Sequence, residues 1–410
     1  MSRVVDVIGI GAEGVAGLSG ASRARLEAAT FLAGGRRHLG LVGSTEAERF
    51  AITDNLASLV DRLKSRTVEE RCVVLASGDP LCFGVGHRLG QELGRDQIRV
   101  EPGVSSLQLA FARAGLAWQD AKIASIHGRD LVSTLLPLLG LPRIALFTQD
   151  GSSPSNVARF LVDRGLDDYR ATVGERLGTV EERVTTSEIS GLIGRTFDDL
   201  NFLILERPAD LPIFSGPFAV PDELFSQPDG GPILLTHQDV RAVSLARFRD
   251  LPYGSIWDIG AGLGGVSIDL ARAFRGVEVV AFERSSVQAS HLLENRKRFA
   301  TFNLRVVEGE APGCLSAQAR PSAVFLGGTG GRLDPILDVV FDRLVVGGVL
   351  VANFVGFENL ARFQERVKAA GWVFELTQVQ INHGRPLGGL TTLVPLRPVW
   401  VAWSRRPVTF

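Results

Sequence analysis

Apolar residues run along this chain in short unbroken blocks that end in a glycine or an acid. Between the blocks lie segments whose apolar positions recur three and four residues apart. The blocks read as strands buried on both faces, as in a parallel sheet. The segments between them read as helices packed by one face. The fullest unit lies at 256–283. A buried strand ends at Asp258, and Gly260, Gly262 and Gly264 follow at alternate positions. Val266–Phe274 is amphipathic, and a second strand, Val277–Phe282, delivers Glu283. Strand, glycine turn, helix, strand and acid form a nucleotide-binding layout. Glycines let backbone approach a ligand where a side chain would collide. The N–H groups opening the helix point at any carboxylate or phosphate there. Glu283 stands 19 residues past the third glycine, where a carboxylate can accept both hydroxyls of a ribose.

The same alternation predicts the other elements. After 233, Thr236 reads as the N-cap of a helix through Phe248, with Asp239 completing a near capping box. Strands follow at Leu304–Glu308, Ala323–Leu326, Val349–Asn353, Val373–Ile381 and Val399–Ser404, with helices at Ile336–Leu344 and Leu360–Ala370. This is an open, doubly wound, mostly parallel sheet. In the first half, Val4–Ile10 enters a second glycine turn, Gly9-x-Gly11-x-x-Gly14. Strand-like runs at Thr30–Ala33 and Leu39–Val42 lack a ribose-binding acid at the right distance. A helix spans 53–66, capped by Thr53 or Asp54. Cys72–Ser77 is a strand ending in Gly78-Asp79-Pro80. Ile98–Val100 is another, leading through Pro102-Gly103-Val104-Ser105-Ser106 into the helix Leu107–Arg113. A second lobe has strands at Ile123–His127, Ile144–Phe147, Tyr169–Val173 and Asn201–Leu205, and a helix Ser155–Arg164 capped by Ser155. Six prolines crowd between Arg207 and Pro232, a density that stops regular elements. The predicted organisation is therefore a domain at 1–207 with lobes at about 1–115 and 120–207, a linker at 208–232, and a second domain at 233–410.

Composition narrows the partners. A net charge of −1 gives no general attraction to nucleic acid or to a membrane surface. Forty of the 44 basic residues are arginine, the side chain that grips carboxylates bidentately. Three scattered cysteines without a CxxC suit a reducing cytoplasm and argue against structural zinc. No apolar run reaches 18 residues, and the N-terminus does not read as a signal peptide, so a cytoplasmic protein is expected.

The glycines alone fit NAD(P) as well as S-adenosylmethionine, because Gly260-x-Gly262-x-x-Gly265 also satisfies the dinucleotide pattern. Asp258 favours the sulfonium donor. Acid-x-Gly-x-Gly-x-Gly resembles motif I of the Rossmann-like (class I) methyltransferases. In the first half, strand-Gly-x-Gly, Gly78-Asp79-Pro80 and Pro102-Gly103-x-Ser105-Ser106 resemble the class III tetrapyrrole methyltransferases of corrin and sirohaem synthesis. That resemblance implies a two-lobed tetrapyrrole methylase fold with S-adenosylmethionine held at Gly78, Asp79, Pro80, Ser105, Ser106 and the Arg176-Leu177 turn. It also turns the first glycine loop toward the tetrapyrrole. The second half resembles the precorrin-8w decarboxylase family through Thr236, the Asp258 motif, Glu283, Glu308-Gly-Glu-Ala-Pro312, Phe325-Leu-Gly-Gly and His383-Gly-Arg385. By that match Thr236, Asp258, Gly260, Ala261, Gly262, Leu263, Gly264, Glu283 and Ala311 bind the donor. The chain departs from the family at Leu263, where a small or hydroxyl residue is usual, and at His237.

Together the resemblances imply two S-adenosylmethionine sites per chain serving one polycarboxylate tetrapyrrole. Methylation at C5 falls to the first half; methylation at C15 and decarboxylation of the ring C acetate fall to the second. A cobalt-containing precursor is an alternative substrate. From other classes, an NAD-dependent dehydrogenase fusion and a non-catalytic tetrapyrrole binder remain open. Neither a metal nor a covalent nucleophile is expected. No catalytic residue is assigned; His237, Asn353, His383 and Arg385 are the candidates. The chain is expected to form a homo-oligomer and to bind neither nucleic acid nor membrane.

Overall fold

In the computed structural model, which describes residues 4–207, 219–228 and 235–408, the apolar blocks of the first half pair as β1 (Val5–Ile10), β2 (Phe31–Gly35), β3 (Glu48–Ile52), β4 (Cys72–Ser77) and β5 (Ile98–Glu101). They form one parallel sheet in the order β3-β2-β4-β1-β5. Alternation along each strand builds a core on either face. Val5, Val7, Phe31 and Val74 pack with Leu59, Leu63 and Leu89 on one side, while Ile8, Ile10, Leu32 and Leu75 pack with Leu26 on the other. Three glycines let the ends of β1, β4 and β5 meet backbone to backbone. The Gly103 N–H donates to the Gly78 carbonyl (3.0 Å), and a Cβ on Gly9 would stand 1.8 Å from that same oxygen.

Two expectations fail here. Leu39–Val42 is not a strand: Leu39 is buried from the short helix Arg36–Gly40. The strand after β2 is β3, a sheet edge that exposes Glu48 and Arg49 and so lacks a clean apolar signature. The helix predicted over 53–66 starts at Leu56, preceded by Asn55 rather than capped by Thr53 or Asp54.

The second sheet joins β6 (Lys122–Ser125), β7 (Arg143–Phe147), β8 (Arg170–Glu175), β9 (Arg183–Glu188) and β10 (Asn201–Glu206) in the order β6-β7-β10-β8-β9. Only β6 and β7 pair in parallel; the rest are antiparallel. β9 is a largely polar edge strand that periodicity missed. Ser155 does not cap its helix, which begins at Ser153; its hydroxyl accepts from the Gly194 N–H instead (2.8 Å).

In the remaining half, β11 (Ser255–Ile259), β12 (Val279–Glu283), β13 (Leu304–Glu308), β14 (Pro321–Leu326), β15 (Val349–Phe354), β16 (Val373–Val379) and β19 (Val399–Arg405) form a sheet in the order β13-β12-β11-β14-β15-β19-β16; β17 (Asn382–Leu387) and β18 (Leu390–Pro395) form a separate hairpin. The first five are parallel, and β19 runs antiparallel to both its neighbours. Helices cover both faces. The hairpin and the helix Ser286–Arg298 were not predicted. The hairpin is exposed, and the helix is too polar to show an apolar stripe.

Contacts gather the chain into two compact units. The first comprises Met1–Asp130, Leu141–Arg159 and Asp167–Arg207; the second comprises Leu131–Gly140, Phe160–Leu166 and Pro208–Phe410. Of the predicted linker, 208–218 and 229–232 lie outside the described residues. The intervening Val220 and Phe225 are buried in the core of the second unit. No described helix is long and apolar enough to cross a membrane.

Candidate active sites

Each unit holds a large cavity at the carboxyl ends of its parallel strands, where loops converge and helices begin. In the first unit a cavity of about 580 Å3 is lined by Gly78, Asp79, Ser105, Ser106 and Leu177, and also by His127. Gly78 takes φ +53°, and a Cβ there would lie 2.5 Å from Ser105 Cα. Asp79 folds back so that Oδ1 accepts from the Leu81 N–H (2.8 Å). Ser105 forms a full capping box with Gln108, so its side chain starts the helix Ser106–Ala114, while the exposed Ser106 borders the cavity. Pro80 is buried under its loop and does not reach the cavity; its carbonyl accepts from the Gly86 N–H (3.0 Å). Arg176, of the expected Arg176-Leu177 turn, lines the same cavity, as do Arg37, His38, Ser77 and Arg129, which the sequence reading missed. The only available signal for them was position just past a strand end.

In the second unit a cavity of about 590 Å3 is lined by Thr236, His237, Asp258, Gly260, Ala261, Gly262, Glu283, Ala311 and Asn353. The glycine turn is built by close approach. Gly260 takes φ +75°, and a Cβ there would stand 2.4 Å from the Gly328 carbonyl oxygen. Gly262 takes φ +58°, and its N–H donates to Glu283 Oε2 (2.8 Å). Glu283 Oε1 accepts from the Ser285 N–H (2.8 Å), which opens the next helix. One carboxylate thus ties two loops together and, with about two acceptor sites per oxygen, keeps capacity toward the cavity.

Leu263 and Gly264 do not line this cavity. Leu263 is buried, and a Cβ on Gly264 would press on Leu292 (2.8 Å). Thr236 is not the N-cap. His237 caps the helix Gln238–Leu245, its Nδ1 accepting from the Asp239 N–H (3.3 Å), which leaves Thr236 to the cavity. This loop is anchored by Arg241, fully buried, which donates to Asp269 (2.7 Å), Asp222 (2.5 Å) and the Thr236 carbonyl (2.5 Å). Losing one partner of such a buried pair costs about 3–5 kcal/mol. His383 sits on the hairpin outside the cavity, with its Nε2 3.3 Å from His237 Nε2. Arg385 is exposed on the same hairpin and also lies outside the cavity.

Among the described residues, two buried polar atoms on residues of this second cavity lack a partner: Asp258 Oδ1 and Asn353 Nδ2. Asn353 Oδ1 is 3.1 Å from the Ser244 hydroxyl, and Asp258 Oδ2 accepts from Ser267. Burial pushes the Asp258 carboxyl up to about 7; the Ser267 hydroxyl opposes this and the Glu283 charge adds to it. A carboxyl raised in the folded state binds more protons there than in the unfolded chain. Its stabilisation is therefore complete below the ordinary carboxylate range and is lost as the pH rises to about 7. Asp258→Asn removes that loss. Its unfolding free energy relative to the parent should rise by roughly 2–3 kcal/mol between pH 5 and pH 8. Urea unfolding of the second unit at the two pH values measures it, and an unchanged difference would refute the assignment.

Two family models divide the chain between them. Residues 4–193 match the family described as Tetrapyrrole (Corrin/Porphyrin) Methylases, and residues 225–406 match the Precorrin methyltransferase domain. A precorrin-6Y C(5,15)-methyltransferase [decarboxylating] from Sinorhizobium sp is 35% identical over 408 residues, covering 98% of this chain and 95% of that protein. The chain belongs to this family. It is a methyltransferase, and the dehydrogenase and non-catalytic alternatives fall away. Salmonella typhimurium has two separate relatives. Its cobalt-precorrin-7 C(5)-methyltransferase is 33% identical over 189 residues, covering 46% of this chain and 92% of that protein. Its cobalt-precorrin-6B C(15)-methyltransferase (decarboxylating) is 36% identical over 181 residues, covering 44% of this chain and 92% of that protein.

Proposed function

We propose that the two cavities are two S-adenosylmethionine sites. The first serves C5 methylation of precorrin-6Y; the second serves C15 methylation with loss of the ring C acetate carboxylate, in cobalamin synthesis. The observation that carries this reading is unspent hydrogen-bonding capacity in the second cavity. Buried polar groups are normally paired, and among the described residues Asp258 Oδ1 and Asn353 Nδ2 are not. Along with the Gly260–Gly262 turn and Glu283, they fit a ligand bearing an amino acid end and a ribose. In the first cavity, Gly78, Asp79, Ser105, Ser106 and Leu177 would hold the donor.

When bound, the donor supplies an already activated methyl group. The chain's task is then mainly to position a ring carbon against it. In the second cavity the apolar walls of Val266, Phe325, Ile336 and Val399 keep water from the macrocycle, while Thr236, His237 and Asn353 offer polar groups for orienting a carboxylate. Arg284 and Arg397, also on this wall, supply positive charge for the substrate's peripheral carboxylates.

Calorimetry tests the count. Two equivalents of S-adenosylmethionine per chain and no NAD are expected; one equivalent, or NAD in either cavity, would overturn it. Product masses from precorrin-6Y, with and without cobalt, identify the substrate form. A homo-oligomer is supported by the hairpin, where Leu387, Leu390 and Leu393 are 66%, 76% and 67% exposed. A light-scattering mass of one chain would refute it.

A further inference from the structure

We propose that Arg37, Ser77 and His38 form a subsite in the first cavity for one peripheral carboxylate of the macrocycle. This rests on the reading that the first cavity receives a polycarboxylate tetrapyrrole. Arg37 and His38 lie in the short helix after β2, and Ser77 ends β4 directly before Gly78-Asp79-Pro80. The three side chains meet: Arg37 Nη2 donates to Ser77 Oγ (3.1 Å) and lies 3.2 Å from His38 Nε2, while Ser77 Oγ and His38 Nε2 are 2.8 Å apart. Arginine only donates. With Nε2 as the accepting nitrogen, its one lone pair is shared between Arg37 Nη2 and the Ser77 O–H, and the ring proton sits on Nδ1, which is buried without a partner among the described residues. Pointing the O–H at Nε2 turns a Ser77 lone pair toward Arg37 and fixes one edge of the guanidinium.

The charge is unspent. Among the described residues no carboxylate lies within ion-pair distance of Arg37, whereas Arg25, Arg62, Arg113 and Arg176 of the same unit are all paired. Of the other cavity arginines, Arg176 is held by Asp198, and Arg129 lies over the Phe83 ring at 5.5 Å. Burial, and then the adjacent Arg37 charge, push the His38 imidazole down to about 4. His38 is thus a neutral acceptor near neutral pH, and the cluster carries a single positive charge. Exposed on the cavity wall with Nε and Nη1 uncommitted among the described residues, Arg37 offers the fork that a carboxylate takes bidentately.

The test uses the full-length chain and a porphyrin octacarboxylate as probe, with its octamethyl ester as the uncharged control. The parent should bind the octacarboxylate in preference to the ester. Arg37→Ala should weaken octacarboxylate binding about tenfold, a charge-assisted pair's share, and leave S-adenosylmethionine affinity unchanged. Arg37→Lys should recover part of the loss, and Ser77→Ala should show a smaller loss in the same direction. In turnover, the Arg37→Ala defect should appear in KM for C5 methylation rather than in kcat. Unchanged octacarboxylate binding in both Arg37→Ala and Ser77→Ala would overturn the subsite while leaving the methylation reading intact. A parent that binds neither porphyrin would remove the reading and the subsite together.

Discussion

Gly262→Val is expected to abolish methylation at C15 and to leave methylation at C5 in place. Gly262 sits at φ +58°, where a β-branched residue is strained by about 1–2 kcal/mol. Its N–H holds Glu283, and it forms part of the cavity wall. An isopropyl group there both misplaces the carboxylate and fills space the donor needs. A misplacement of about 1 Å in a site that works by alignment costs on the order of 100-fold in rate. Mass spectrometry of single-turnover products separates the two methylations. A variant that loses both, or keeps both, would count against one independent site per unit.

The largest stability effect is expected at Gly9. A Cβ added there would lie 1.8 Å from the Gly78 carbonyl oxygen and 2.4 Å from the Gly103 nitrogen, and neither backbone atom can yield without separating β1 from the loops of β4 and β5. Gly9→Ala should destabilise the first unit by about 3 kcal/mol or more, the upper range of overpacking, and eliminate C5 methylation. Gly11→Ala is the matched control. Its nearest contact would be the Val104 carbonyl oxygen at 3.9 Å, an ordinary distance. Thermal unfolding should show a lowered first transition in Gly9→Ala only. Equal midpoints for the two variants would show that backbone approach is not what Gly9 provides.

The contrast between these two glycines explains what the first Gly-x-Gly motif does. Its pattern suits a dinucleotide site, yet Gly9 is consumed by strand-end packing, and only Gly11 borders the cavity. A spacing motif cannot say which of its glycines faces a ligand and which faces another backbone. Asp258 behaved differently. Its place before the glycine turn was enough to favour the sulfonium donor, but its burial, its bond to Ser267 and its raised carboxyl come from residues folded around it.

What the sequence determined was every interior strand of the three sheets and the glycine turns, because a strand buried on both faces is largely apolar and a turn with positive φ favours glycine. It also determined the family, through motifs whose order cannot arise from periodicity alone. Tertiary structure decided the rest. Polar edges such as β3 and β9, and the exposed β17–β18 hairpin, carry no burial signal of their own. His237 rather than Thr236 caps its helix because Arg241 and its two aspartates fix the loop from below. Leu263 and Gly264 turned into the core, while Arg37, His38 and Ser77 came together from two strand ends about 40 positions apart. A local pattern records what each residue's own strand or helix requires. Which side chains share a cavity depends on strand order, and that is set by the packing of the whole sheet.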